Sequence, residues 1–166
     1  AFASSKLPPS GWVTGVIELP LSNGTWQVAI KADQGDPQSG AYGVRSGLQI
    51  TEAQTLGLSD IVTGREGGLP WRAPDGKDFP LNPVGGWPAK TAVPSYYEVS
   101  GLPDGARYKA RILLYQGNST KAALTLESDE QATGLRTVVR KVLGLDKVGA
   151  GSYRMVLVIE ANGRRV

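Results

Sequence analysis

Paired carboxylates are the residues of this chain whose spacing comes nearest to general acid–base chemistry, because the sequence contains no His and no Cys. Hydrolysis by such a pair needs one protonated and one ionised group at a fixed separation. The candidate pairs are Asp33 with Asp36, Asp75 with Asp78, and Asp129 with Glu130. All three fall in predicted turns, where Asp often accepts backbone hydrogen bonds. We interpret them as turn residues and expect no enzymatic activity.

The absence of His and Cys also excludes thiol nucleophiles, Ser-His-Asp triads and zinc sites built from these ligands. The loop 33–36 offers some of the six to eight oxygen ligands that Ca²⁺ requires, so a calcium site is the alternative there. The glycine-rich segment 64–68 lacks the Gly-Lys-Ser/Thr ending of a phosphate-binding loop. We expect no intrinsic metal or organic cofactor.

Positive charge is concentrated in the C-terminal part of the chain. Residues 104–166 hold eleven Lys or Arg against six Asp or Glu, and Arg107, Lys109 and Arg111 alternate along one predicted strand. A single-strand nucleic-acid binder also presents aromatic rings between such charges, and Tyr115 is the one obvious outward ring here. We therefore interpret the charges as a solvated strand face and expect no nucleic-acid partner.

Period-two alternation of apolar and polar residues dominates the chain and predicts half-buried antiparallel strands. The fold class that follows is all-β, an antiparallel β-sandwich that is loosely immunoglobulin-like and has about nine strands. The predicted strands are 12–20, 25–32, 43–51, 57–64, 95–101, 107–116, 121–128, 134–143 and 152–161. Each pattern is expected to turn its apolar face inward, and no window predicts a helix of more than one turn.

The domain organisation predicted is an N-terminal extension, 1–10, followed by one sandwich domain, 11–166, with a long Pro-rich loop at 65–94. Six prolines and few charges occur in that loop, and loops of this length are often functional. Five large apolar residues are its candidate contacts with a protein partner: Leu69, Trp71, Phe79, Leu81 and Trp87. The alternative is a lid that packs over the open end of the sandwich and buries these rings.

A Gly followed by an aromatic residue recurs at the start of three predicted strands. The aromatic residues, Trp26, Tyr108 and Tyr153, are predicted corner residues, in which a ring covers the core while its polar atom reaches the backbone. The stretch from Tyr97 to Tyr108 resembles the approach to the tyrosine corner of fibronectin type III and immunoglobulin-like sandwiches. This resemblance implies a fold and says nothing about function.

A wider resemblance connects about half of the chain with the C-terminal sandwich regions of bacterial envelope proteins of the GWxTD group. The similar stretches are 56–62, 70–72, 79–83, 96–99 and 151–153. The name motif itself is not matched, since Gly15 stands where the family has Asp. The resemblance implies a sandwich fold and an envelope location, and it implies little about activity.

The function expected from these observations is that of a non-enzymatic structural or accessory protein of the bacterial periplasm or cell envelope. It would act through protein–protein contacts, as a peripheral subunit of a larger membrane complex, for which a photosynthetic reaction-centre assembly is one conceivable host. The location expected is periplasmic or extracellular, after export by a signal peptide not present in this chain. No stretch reaches the length needed for a membrane span. The alternative is a module that binds carbohydrate or another small ligand through Trp71, Trp87 and nearby Tyr residues.

Overall fold

The computed structural model describes residues 14–33, 40–50 and 55–166, and in these ranges the chain forms antiparallel strands and no helix. The N-terminal extension and most of the candidate calcium loop lie outside the described residues. The strands are β1 (Gly24–Asp33), β2 (Gly40–Ile50), β3 (Gly57–Leu58), β4 (Val62–Arg72), β5 (Asp78–Leu81), β6 (Ala92–Ser100), β7 (Arg107–Gln116), β8 (Leu124–Gln131), β9 (Arg136–Gly144), β10 (Tyr153–Ala161) and β11 (Arg164–Arg165).

Two sheets face each other across a shared apolar core, so the body of the molecule is sandwich-like. One sheet has the order β11–β10–β7–β8. In the other, β6 is central, with β9 along one edge and both β3 and β4 along the opposite edge. The core takes Ile112 and Ile159 from the first sheet and Tyr97, Val99 and Val139 from the second. Alternation predicts these inward positions because successive side chains of a strand point to opposite faces.

A polar contact joins the two sheets at the edge where β8 and β9 meet. Glu130 and Lys141 lie opposite the buried residues Tyr108 and Ser95, so both point between the sheets. The Lys141 ammonium donates hydrogen bonds to Glu130 and to Ser128. Burial disfavours the ionised form of Glu130, but hydrogen bonds from Lys141 and from Ser128 to its carboxylate, together with the Lys141 charge, lower the pKa of the carboxyl group overall.

The prediction of a strandless loop at 65–94 is wrong, because this segment contains most of β4 and all of β5. β4 pairs with β6 through only Val62 and Thr63. It then pairs with β5 at Gly64 and, after an irregularity, from Leu69 to Arg72. The wrong prediction came from the prolines, which were expected to prevent strand pairing. Pro70 and Pro80 face each other in the hairpin, and a non-hydrogen-bonded antiparallel pair needs no N–H from either residue.

Other strand predictions differ in extent from the structure. Residues 14–20 of the predicted strand 12–20 form no strand, and the predicted strand 57–64 is divided between β3 and the start of β4. Periodicity missed β5 and β11, which have four and two residues and are too short to show alternation. The remaining predicted strands overlap β1, β2 and β6 to β10.

Candidate functional site

The β4–β5 hairpin folds over the outer face of β6 and forms a second, smaller core there. Phe79 is only 4% exposed, and the ring of Tyr96 on β6 packs against it with a centroid distance of 5.9 Å. The Trp71 ring meets Tyr96 edge-on at 5.1 Å, and Leu81 packs into the same cluster. The hairpin therefore covers the sheet within a single molecule.

The five candidate contact residues consequently do not form one exposed surface. Phe79 is buried, whereas Leu69, Trp71 and Leu81 are half-buried on the β4–β5 hairpin. Trp87 packs separately against the main core, and its indole N–H donates to the Gly64 carbonyl at 3.1 Å. These residues pack within the monomer, as the lid alternative expected, but the hairpin covers the outer face of β6 and not the open end of the sandwich. Their contact with a protein partner stays a prediction.

Arg140 of β9 fastens the tip of the β4–β5 hairpin to the sheet. Its Nε and Nη2 atoms donate to the two carboxylate oxygens of Asp75, each at 2.8 Å. The guanidinium also lies over the rings of Phe79 and Tyr96, at 5.7 and 5.4 Å from their centroids. Hydrogen bonding from Arg140 is the main reason that the pKa of Asp75 falls to about 2.

The described candidate carboxylate pairs do not form an acid–base pair, because their members bond to different Arg residues or point in opposite directions. Asp75 bonds Arg140, whereas Asp78 bonds Arg72, so the two carboxylates have different partners. Asp129 and Glu130 lie within β8 and not in a turn, so that expectation is wrong, and they point to opposite faces because they are adjacent. The side chains of Asp33 and Asp36 lie outside the described residues. In the described part of the chain, no three acidic side chains cluster in a way that could hold a metal ion.

The three predicted corner residues differ in their contacts. Tyr153 donates from its hydroxyl to the Gly149 carbonyl at 3.1 Å, and Trp26 donates from Nε1 to the Ser22 carbonyl at 2.9 Å. Both contacts reach four residues back along the chain. Tyr108 has a buried ring, but its hydroxyl is buried without a partner, so the expected bond to the backbone is not formed.

The alternating basic residues of β7 face acidic residues on both neighbouring strands. Lys109 lies opposite Asp129 of β8 and Glu160 of β10, and Arg111 forms ion pairs with Glu127 and Glu160. This pairing reduces the net charge of the strand face. None of the described residues belongs to a helix that could span a membrane.

A cleft of about 1120 Å³ opens between the sheets, and we call it the sandwich cleft. Ile61 of the β3–β4 connection and Trp87 line one wall, and Leu114 and Met155 line the other. The loops that precede β6 and β10 form its rim, which includes Lys90 and Tyr153. Its size suits a drug-sized ligand.

Comparison with protein-family models, with curated proteins and with solved structures gives no match.

The β1–β2 hairpin contributes no residue to either of the two core clusters. Its strands pair only with each other among the described residues, and Arg45 of β2 forms an ion pair with Asp60 of the body at 2.8 Å. The apolar residues on one side of the hairpin form what we call the hairpin face: Trp26, Val28, Ile30, Leu48 and Ile50. Trp26 and Ile30 are exposed, Ile30 by 54%, and Val28, Leu48 and Ile50 are half-buried.

Sequence reasoning identified the apolar alternation of the hairpin face but expected it to point into the core. That expectation is wrong for β1 and β2. Alternation shows that a strand has an apolar side, but it does not show whether another part of the same chain covers that side.

Proposed function

We propose that this protein is a non-enzymatic accessory protein that acts through protein–protein contact, and that the hairpin face is its contact surface. The observation that carries the proposal is the exposure of this apolar sheet face on a hairpin that pairs with no other strand in the described part of the chain. Exposed contiguous apolar surface of this kind commonly marks a protein interface.

Two physical arguments support the contact. A lone two-stranded hairpin is at best marginally stable in water, so a partner that packs against it would stabilise it. Trp26 also provides a large ring, of the type that dominates binding energy at interfaces, and its indole is held in place by Ser22. The partner that fits is a protein with a complementary apolar face. Arg45 is the charged residue opposite Val28 on the same side of the hairpin, and it already pairs with Asp60.

The location and fold type belong to the same proposal. We place the protein in the bacterial periplasm or cell envelope, or outside the cell, as a peripheral subunit of a membrane complex; the support is the resemblance to GWxTD-group envelope proteins. The sandwich is proposed to be immunoglobulin-like, and the Tyr153 contact with the backbone four residues upstream supports this.

The test introduces a charge on either side of one strand. Ile30→Lys places an ammonium on the hairpin face, whereas Ala29→Lys places it on the opposite face of β1. Both positions are exposed, so both variants should fold like the wild type. We expect a partner identified by native co-purification to be lost from Ile30→Lys and retained by Ala29→Lys. Equal retention by both variants would refute the hairpin face as the contact surface.

A further inference from the structure

The sandwich cleft differs from the hairpin face because it is concave and is lined by side chains from both sheets. Most of its lining is apolar, and the large contributors are Trp87, Leu114, Leu145, Tyr153 and Met155. Trp87 and Met155 also pack against the main core, so the base of the cleft belongs to the rigid part of the fold. Pockets of this composition bind ligands that have a substantial apolar body.

Trp87 and Tyr153, the two aromatic residues of the cleft, can contact a ligand through their rings but have little hydrogen-bonding capacity left for it. The Trp87 indole N–H already donates to the Gly64 carbonyl, and the Tyr153 hydroxyl already donates to the Gly149 carbonyl. A carbohydrate presents many hydroxyl groups, and leaving them unpaired in a cleft costs binding free energy. The internal hydrogen bonds of these rings therefore favour an apolar ligand over a sugar.

The charges at the rim favour an anion. Asp60 is the acidic residue of the lining, and Arg45 neutralises it through a 2.8 Å ion pair. Lys90 is the basic residue of the lining, and it forms no ion pair with any described residue. Its backbone has a left-handed φ of 61°, which is uncommon for a residue other than Gly and often accompanies a functional site.

We propose that the sandwich cleft binds an amphipathic anion, with the apolar chain between the sheets and the single anionic head group at the Lys90 ammonium. A free fatty acid and an anionic membrane lipid share this chemistry. The cleft lining and the hairpin face share no residue, although Arg45 of the hairpin pairs with Asp60 of the lining.

The test measures binding of decanoate, below its micellar concentration, by calorimetry and by tryptophan fluorescence. We expect Lys90→Asn to weaken decanoate binding about three- to fivefold, as for an exposed ion pair, and to leave decanol binding unchanged. Asn tolerates the left-handed backbone at this position, so the variant keeps the loop conformation. Lys147→Gln is the control, because Lys147 is an exposed cation of the neighbouring loop outside the cleft lining.

A second variant tests the position of the chain. Ala150→Trp adds a large ring at an exposed position of the rim and should block both decanoate and decanol. Vesicles of phosphatidylglycerol and of phosphatidylcholine distinguish the sources: Lys90-dependent binding to the former alone indicates a membrane lipid, and binding of free decanoate alone indicates a soluble amphiphile. Absence of binding to both decanoate and phosphatidylglycerol vesicles would overturn the proposal. So would tighter binding of cellobiose than of decanoate, or decanoate binding that neither Lys90→Asn nor Ala150→Trp reduces.

Discussion

Arg140 and Asp75 are 65 residues apart in the chain, and they form a two-point ion pair with both N···O distances at 2.8 Å. The pair connects β9 in the second sheet with the turn between β4 and β5. Because Arg140 also covers the rings of Phe79 and Tyr96, one side chain joins the charge pair to the aromatic cluster beneath it. The lid formed by β4 and β5 should therefore respond both to pH and to changes in the aromatic cluster.

Acid should loosen this lid. The pKa of Asp75 falls from its ordinary value of 3.8 to about 2, so its carboxylate stabilises the fold fully above about pH 4 and loses that contribution as the pH falls toward 2. We expect the stability difference between the wild type and Asp75→Asn, measured by denaturant unfolding, to shrink over this range. Asp104→Asn, at an exposed turn, is the control. A wild-type advantage that stays constant down to pH 2 would contradict the role of the ion pair.

Removal of the buried Phe79 ring should greatly lower the free energy of unfolding. Phe79→Ala should lower the free energy of unfolding by about 3–5 kcal/mol, because it leaves a cavity against Tyr96. Phe79→Leu refills most of that volume and should cost less than about 1.5 kcal/mol. The exposed Val84→Ala, within about 0.5 kcal/mol of the wild type, serves as the surface control. Chemical denaturation measures all three, and a Phe79→Ala loss as small as that of Val84→Ala would mean that the ring is not packed.

Two tyrosine hydroxyls should respond differently to removal. The Tyr153 hydroxyl has the Gly149 carbonyl as its partner, so Tyr153→Phe should cost about 0.5–1.5 kcal/mol. The Tyr108 hydroxyl is buried without a partner, so Tyr108→Phe should be neutral or stabilising. Tyr108→Ala, which removes the buried ring, should cost about 3 kcal/mol or more. If Tyr108→Phe proves clearly destabilising in thermal unfolding, the hydroxyl must have a partner such as a buried water.

Two glycines with the same left-handed φ of 77° separate backbone strain from steric clash. A Cβ at Gly101 would lie 2.1 Å from the Thr55 carbonyl oxygen, whereas at Gly105 the nearest atom would be 3.5 Å away. Gly105→Ala should therefore cost only the left-handed strain, about 1–2 kcal/mol. Gly101→Ala should cost at least about 2 kcal/mol more, since backbone must move. Equal melting temperatures for the two variants would show that the Thr55 contact is not maintained.

The candidate site illustrates what sequence reasoning could not reach. Sequence reasoning named Trp87 and Tyr153 for different roles, but their meeting in one cleft depends on how the two sheets stack. It grouped Trp71 with Trp87 because they are sixteen residues apart in one segment. Trp71 lies on β4 and packs in the smaller core, whereas Trp87 lies in the loop before β6 and packs against the main core, so their spacing in the sequence did not predict this separation.

The sequence by itself determined that the chain is all-β, because alternation over eight or more residues is possible only when opposite faces of a strand meet different surroundings. It also determined which residues of β7, such as Tyr108 and Ile112, point inward. Only the tertiary structure decided which apolar faces find a cover within the chain. The faces of β4 and β5 do, on Tyr96, whereas in the described part of the chain Trp26 and Ile30 on the face of β1 and β2 stay exposed. The physical reason is that burial depends on contacts between residues distant in sequence, whereas periodicity reports only the chemistry of each strand.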